Sequence, residues 1–214
     1  MTTRSYSPFD RFIEGLDQAL RTTFGPAPEP SRANPANTQT ETDLSSADRE
    51  LAGRLMRINH AGEISAQALY QGQALTARLP TVRDKMEQAA VEENDHLAWT
   101  EERIRELGTH TSLLAPLWYT GSFAIGALAG AAGDKWSLGF VVETERQVIR
   151  HLDSHLARLP AEDKKSRAIL EQMRADEARH ATTALGAGAA ALPEPVKRAM
   201  ALTSKIMTTA AGWI

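Results

Sequence analysis

The chain reads as an all-α protein, and three observations predict it. From about residue 47 onward apolar residues recur at spacings of three and four, the period of a helix with one buried face. The period-two alternation of a half-buried strand is missing. Pro80, Gly108, Pro160 and Pro193 divide the pattern into helix-length stretches. The predicted helices span 47–79, 81–108, 135–158, 162–188 and 193–210. Ser45, with Asp48 three residues on, supplies a start signal for the first of them. Ahead of it, Phe9, Phe12, Ile13, Leu16 and Leu20 predict a short amphipathic helix over 8–23. The intervening stretch 25–43 is rich in Pro, Thr and Asn with little to bury, which predicts a flexible linker. The expected organisation is therefore an N-terminal helix and linker over 1–46, then one helical domain over 47–214.

Composition narrows the chemistry. At 42% hydrophobic and 24% charged residues, the 214-residue chain has enough apolar content to fold. A net charge of −3 offers no basic field for nucleic acid. With no cysteine, disulfides, thiolate metal sites, cysteine nucleophiles and iron–sulfur clusters are excluded. Any metal must be held by Asp, Glu and the six His. The N-terminus lacks the apolar run of a secretory signal, and Asp10, Glu14 and Asp17 argue against a transit peptide. The expected location is the cytoplasm or its membrane face.

Residues 111–133 carry no charge. That length could cross a bilayer, but Pro116 and four glycines make a poor uniform span. The composition fits either a buried crossover helix or a segment that lies on or dips into a membrane, with Trp118 and Tyr119 near its start. The last helix combines Met200, Met207, Trp213 and Ile214 with Lys197, Arg198 and Lys205. This suits an interfacial helix or a docked terminal one.

Four long helices each place a Glu in an apolar stripe: Glu63 with Met56 and Tyr70, Glu93 with Met86 and Leu97, Glu145 with Val141, Val142 and Leu152, and Glu177 with Leu170 and Met173. A buried carboxylate must be neutral, paired or bound to a cation. Two of the four have a His three positions on, Glu93 with His96 and Glu177 with His180, so both side chains of each pair can reach one ion. Glu63 precedes Glu93 by 30 residues and Glu145 precedes Glu177 by 32, so each helical hairpin carries Glu…Glu-x-x-His once. Two such hairpins close a four-helix bundle around a pair of metals, the arrangement of ferritin-like di-iron and di-manganese proteins. Four carboxylates balance two divalent ions, and oxygen with imidazole suits iron or manganese. Glu92, Glu143 and Asp176 neighbour these residues and either face solvent or support them. His60 is a candidate to cap or line the site. Tyr70 reads as packing, and Gly62, Gly72 and the glycines of 121–133 as close-packing positions.

The strings LMRINHAGEISAQALYQGQ, EENDHL, VVETERQVIRHL and DEARHA closely resemble the demethoxyubiquinone hydroxylase family of ubiquinone biosynthesis, from about Leu55 to Ile214. The resemblance implies that Glu63, Glu93, His96, Glu145, Glu177 and His180 are ligands of two iron ions. His151 then matches a family His near the site, a candidate proton relay or orienting partner. The implied reaction is hydroxylation of the ring of a polyprenylated demethoxyubiquinol with dioxygen, the reductant being open. The implied partners are the quinone, a membrane lipid surface and a ubiquinone-biosynthesis complex, with no nucleic acid. The implied place is the cytoplasmic face of the cell membrane. An iron-handling or peroxide-reducing ferritin-like protein would share all six ligands and is the alternative.

Overall fold

The computed structural model describes residues 8–25 and 29–214. Seven α-helices appear among them: α1 (Pro8–Phe24), α2 (Ser46–Thr76), α3 (Pro80–Glu106), α4 (Ala115–Ala131), α5 (Asp134–Arg158), α6 (Lys164–Gly186) and α7 (Glu194–Ala211). No strand occurs among the described residues. Ser45 caps α2 as its sequence predicts, accepting from the Asp48 amide at 3.1 Å. Pro80 opens α3, where its missing N–H costs nothing. Gly133, with φ +118, turns the chain between α4 and α5 in a conformation that side chains other than glycine rarely take. The side chains of Phe9, Phe12 and Leu16 on α1 lie outside the described residues.

Helices α2, α3, α5 and α6 form the ferritin-like bundle, and the order of residues in its core gives their directions. One apolar cluster gathers Leu55 and Met56 of α2, Trp99 and Ile104 of α3, Leu152 and Leu156 of α5, and Ile169, Leu170 and Met173 of α6. A second gathers Ala66 and Tyr70 of α2, Val82 and Met86 of α3, Val141 and Val142 of α5, and Ala184 of α6. Helices α2 and α6 thus run from the first cluster to the second, and α3 and α5 run back. Between the clusters, at the same level on all four helices, lie Glu63, Glu93, His96, Glu145, Glu177 and His180. A polar layer sits between two dry ones.

The uncharged stretch forms α4, packed along the outside of α2. Glycine makes this contact possible. A Cβ on Gly72 would collide with the backbone of Phe123 and Ala127, and one on Gly126 with the backbone of Leu69. Gly62 and Gly121, expected to be close-packing, face nothing that a Cβ would meet. The outer side of α4 leaves Leu113 just ahead of it, Leu117 and Leu128 exposed. Among the described residues no helix is long and apolar enough to cross a membrane.

The reading of 25–43 as a flexible linker is corrected over 29–43. This arm lies against α3 and α6, with a short 3₁₀ turn over Pro35–Thr38 capped by Asn34 and with Ala36 and Leu44 buried. Its polar composition rules out a core of its own. It is held instead by charge: Glu41 meets the buried Arg103 at 2.8 Å, and Arg103 also holds Asp163 at 2.9 Å and Glu106 at 2.7 Å.

A candidate metal centre

The helical period turns Glu63, Glu93, Glu145 and Glu177 inward, and α3 and α6 add His96 and His180 one turn beyond their glutamates. All six are buried. His96 Nδ1 lies 2.9 Å from Glu93 Oε2, 3.3 Å from Glu63 Oε2 and 3.2 Å from Glu177 Oε1. His180 Nδ1 lies 3.1 Å from Glu177 Oε2 and 3.7 Å from Glu93 Oε1. Two overlapping donor sets result. Glu63, Glu93, His96 and Glu177 make one, Glu145, Glu177 and His180 the other, and each converges within 4.8 Å. Glu177 belongs to both.

The layer is short of positive charge and of donors. Among the described residues no Lys or Arg comes within 4 Å of any of the four glutamates. Both oxygens of Glu145 and Oε1 of Glu93 have no hydrogen-bond donor. Protons fill the gap. Burial, reinforced by Glu93 and Glu177, pushes the Glu63 carboxyl well above the usual range, against the pull of His96. Burial beside Glu177 and Glu63 does the same to Glu145, whose proton is shared with Glu177. Burial opposes charge on His180, yet Glu177 and Glu93 outweigh it and push the imidazole up to about 9. His96 is likewise raised against burial, by Glu93, Asp176 and Glu177. Glu177 is held low despite burial by the two imidazoles. Unpartnered oxygens, imidazole nitrogens aimed inward and unbalanced negative charge fit two divalent cations bound by oxygen and nitrogen.

The outward nitrogens are tied down crosswise. His96 Nε2 donates to Asp176 of α6 at 3.1 Å, and His180 Nε2 donates to Glu92 of α3 at 2.7 Å. Each is the residue just before the opposite helix's glutamate. An outer carboxylate of this kind fixes the ring and leaves Nδ1 free for an ion. The sequence left Glu92 and Asp176 between solvent and support, and the structure makes both supports. Glu143, in contrast, stays on the flank of α5 with Gln147 and Arg150, so Glu145 is the member that reaches the layer.

The remaining candidates lie elsewhere. His151 lies against His155, with ring centroids 4.0 Å apart and ring planes tilted by 60°. Both line a cavity of about 260 Å³ with Arg54, Arg158 and Trp213, and His151 Nε2 bonds to none of the six. His60 faces a second cavity, of about 270 Å³, between the ends of α1 and α4 and the sides of α2 and α3. It does not cap the glutamates, and burial lowers its imidazole to about 4. Tyr70 packs in the second apolar cluster, as expected. Arg32 and Asp95 went unnoticed in the sequence. Arg32 donates to Asp95 at 2.5 Å and to Asp176 at 2.8 Å. The available signal was that Arg32 is the sole basic residue between Gly25 and Asp43.

Comparison with known proteins places the chain. The chain is 59% identical to a 3-demethoxyubiquinol 3-hydroxylase of Nitrosococcus oceani over 214 residues, all of both chains. It is 60% identical to one of Stutzerimonas stutzeri over 207 residues, covering 97% of this chain and 96% of the relative. A third, of Pseudomonas fluorescens, is 58% identical with the same coverage. The model of the family described as "Ubiquinone biosynthesis protein COQ7" matches residues 50–211. That span takes in all but the first turn of α2, the rest of the bundle, α4, the whole of α7 and every member of the polar layer, and the chain belongs to this family.

Proposed function

We propose that this chain is a di-iron monooxygenase that hydroxylates the quinol ring of a polyprenylated demethoxyubiquinol with dioxygen; its relatives are named 3-demethoxyubiquinol 3-hydroxylases. The observation that carries the reading is the doubled Glu…Glu-x-x-His layer, donor-poor and sealed between two apolar clusters, in a chain alike over its whole length to those hydroxylases. Glu63, Glu93, His96 and Glu177 would hold one iron, and Glu145, Glu177 and His180 the other. Iron, when bound, supplies the activation of dioxygen and the one-electron chemistry that side chains lack.

The protein's own part is positional and electrostatic. Asp176 and Glu92 hold the two rings with Nδ1 inward. The four glutamates provide the negative charge that favours a higher oxidation state. The clusters around Met56 and Met173 and around Tyr70 and Val141 keep bulk water from the layer. No nucleotide-binding motif accompanies the site, so electrons come from the reduced substrate, a partner or a transiently bound carrier.

A polyprenyl tail calls for contact with lipid. Exposed Leu113, Leu117 and Leu128 at α4, and Leu202, Ile206 and Trp213 at α7, support peripheral docking on the cytoplasmic face of the cell membrane. The same faces are available to other proteins of quinone biosynthesis. The test combines iron content with the quinone profile of cells lacking the protein. About two irons per chain with accumulated demethoxyubiquinone is the expected result. Two irons with an unchanged quinone profile would overturn the hydroxylase reading and keep the metal centre.

A further inference from the structure

We infer that Arg32, on the arm that precedes the family's shared domain, is a positioning residue for the metal ligand His96. The inference rests on the metal-centre reading above. The arm stands outside the span of the family match, which begins at residue 50, yet it reaches the support of that ligand.

Arg32 Nη1 donates at 2.8 Å to the same Asp176 Oδ2 that accepts from His96 Nε2 at 3.1 Å. Its Nε donates at 2.5 Å to Asp95, the neighbour of His96 on α3. Its guanidinium lies 4.9 Å from the centre of the Trp99 ring, and that ring lies 5.6 Å from the His96 ring. One planar cation thus spans α3 and α6 and fixes the carboxylate that aims the imidazole. Asp95 is buried, and its hydrogen bonds come from Arg32 and from the amide and hydroxyl of Ser31. This makes it the arm's docking point. Asp176 is also held from within α6, where Arg179 at 2.8 Å and Gln172 at 3.1 Å donate to its Oδ1, and the arm adds its brace on Oδ2. Glu92, in contrast, is met by Gln88 at 3.0 Å and Arg179 at 3.6 Å, both inside the bundle. The two ligand sets therefore differ in what holds them. Both are braced from within the bundle, and the His96 side is braced by the arm as well.

The test uses the full chain loaded with cobalt(II), whose visible bands report ligand geometry, in wild-type, Arg32→Ala and Arg32→Lys forms. Hydrogen exchange is followed over 29–45 and over the bundle. In Arg32→Ala we expect one cobalt to be lost to EDTA roughly 10–100 times faster. The second should leave at the wild-type rate, the cobalt spectrum should shift, and exchange should rise in the arm alone. Arg32→Lys keeps the charge without the fork and should fall between. Wild-type release of both ions from Arg32→Ala would overturn the inference. So would equal loss of both with faster exchange throughout the bundle, since Arg32 would then only stabilise the fold. Wild-type protein that binds no cobalt would defeat the metal-centre reading beneath it.

Discussion

Replacing Glu145 by leucine should stabilise the metal-free protein and destroy its response to metal. The carboxyl is 1% exposed and, as an anion, finds no donor. Burial disfavours its charge and its neighbours Glu177 and Glu63 repel it, so it keeps its proton. A buried polar group without its full complement of partners costs about 1–3 kcal/mol. The proton shared with Glu177 returns about 1 kcal/mol of that. Leucine fills a similar volume and needs no partner, so we expect a net gain of up to about 2 kcal/mol. For a chain of this size the melting temperature should rise by up to roughly 8 °C. Metal reverses the order, since an ion at a thousand times its Kd adds about 4 kcal/mol to a protein that can hold it. Thermal unfolding by circular dichroism, on metal-free and on anaerobically iron-loaded samples of both proteins, reads the two effects. Glu143→Leu, two residues away on the flank, is the control and should leave the metal response intact. A Glu145→Leu protein less stable than wild type without metal would refute the premise that this carboxylate is a liability awaiting a cation.

Four further outcomes are expected. Arg103→Ala strands the buried Asp163 and frees Glu41 of the arm, so urea unfolding should show a loss of about 3–5 kcal/mol. Gly126→Ala drives a methyl group into the backbone of Leu69 and should cost about 1–3 kcal/mol. Gly62→Ala, where nothing stands in the way, should gain about 0.5–1 kcal/mol in the same assay. The His180 imidazole is raised in the folded state to about 9. Its contribution is therefore whole below pH 6.5 and is lost as pH climbs through 9. Metal-free protein should lose up to about 3 kcal/mol across that window. Metal-loaded protein, its Nδ1 occupied, should show no such slope and should release protons on binding metal.

The sequence carried the polar layer because each of its members repeats a local rule. A glutamate flanked at helical spacing by Val141, Val142 and Leu152, as Glu145 is, must face inward with them, and a His three residues on shares its face. The cross-supports were harder to read. Asp176 meets His96 and Glu92 meets His180 across 80 and 88 residues, and that contact depends on the register of α3 against α6. The arm was misread for a different reason. Proline and asparagine show that 29–43 cannot build a core of its own. They are silent on whether a neighbour offers charge, and Asp95 and Arg103 do. The apolar run of 111–133 fitted a crossover helix or a membrane-lying segment alike, and its seat on α2 was set by which glycines, Gly72 and Gly126, meet backbone.

The crosswise tethering of the two imidazoles also bears on biosynthesis of the protein itself. Hairpin α2–α3 leaves the ribosome first and holds Glu63, Glu93 and His96, three donors of one set. At that stage Asp176 has not been made, and the His96 ring is free to turn. The nascent half is therefore a poor trap for stray cations. On the metal-centre reading, competence arrives with the second hairpin for both donor sets at once, which would tie acquisition of metal to completion of the shell that contains it.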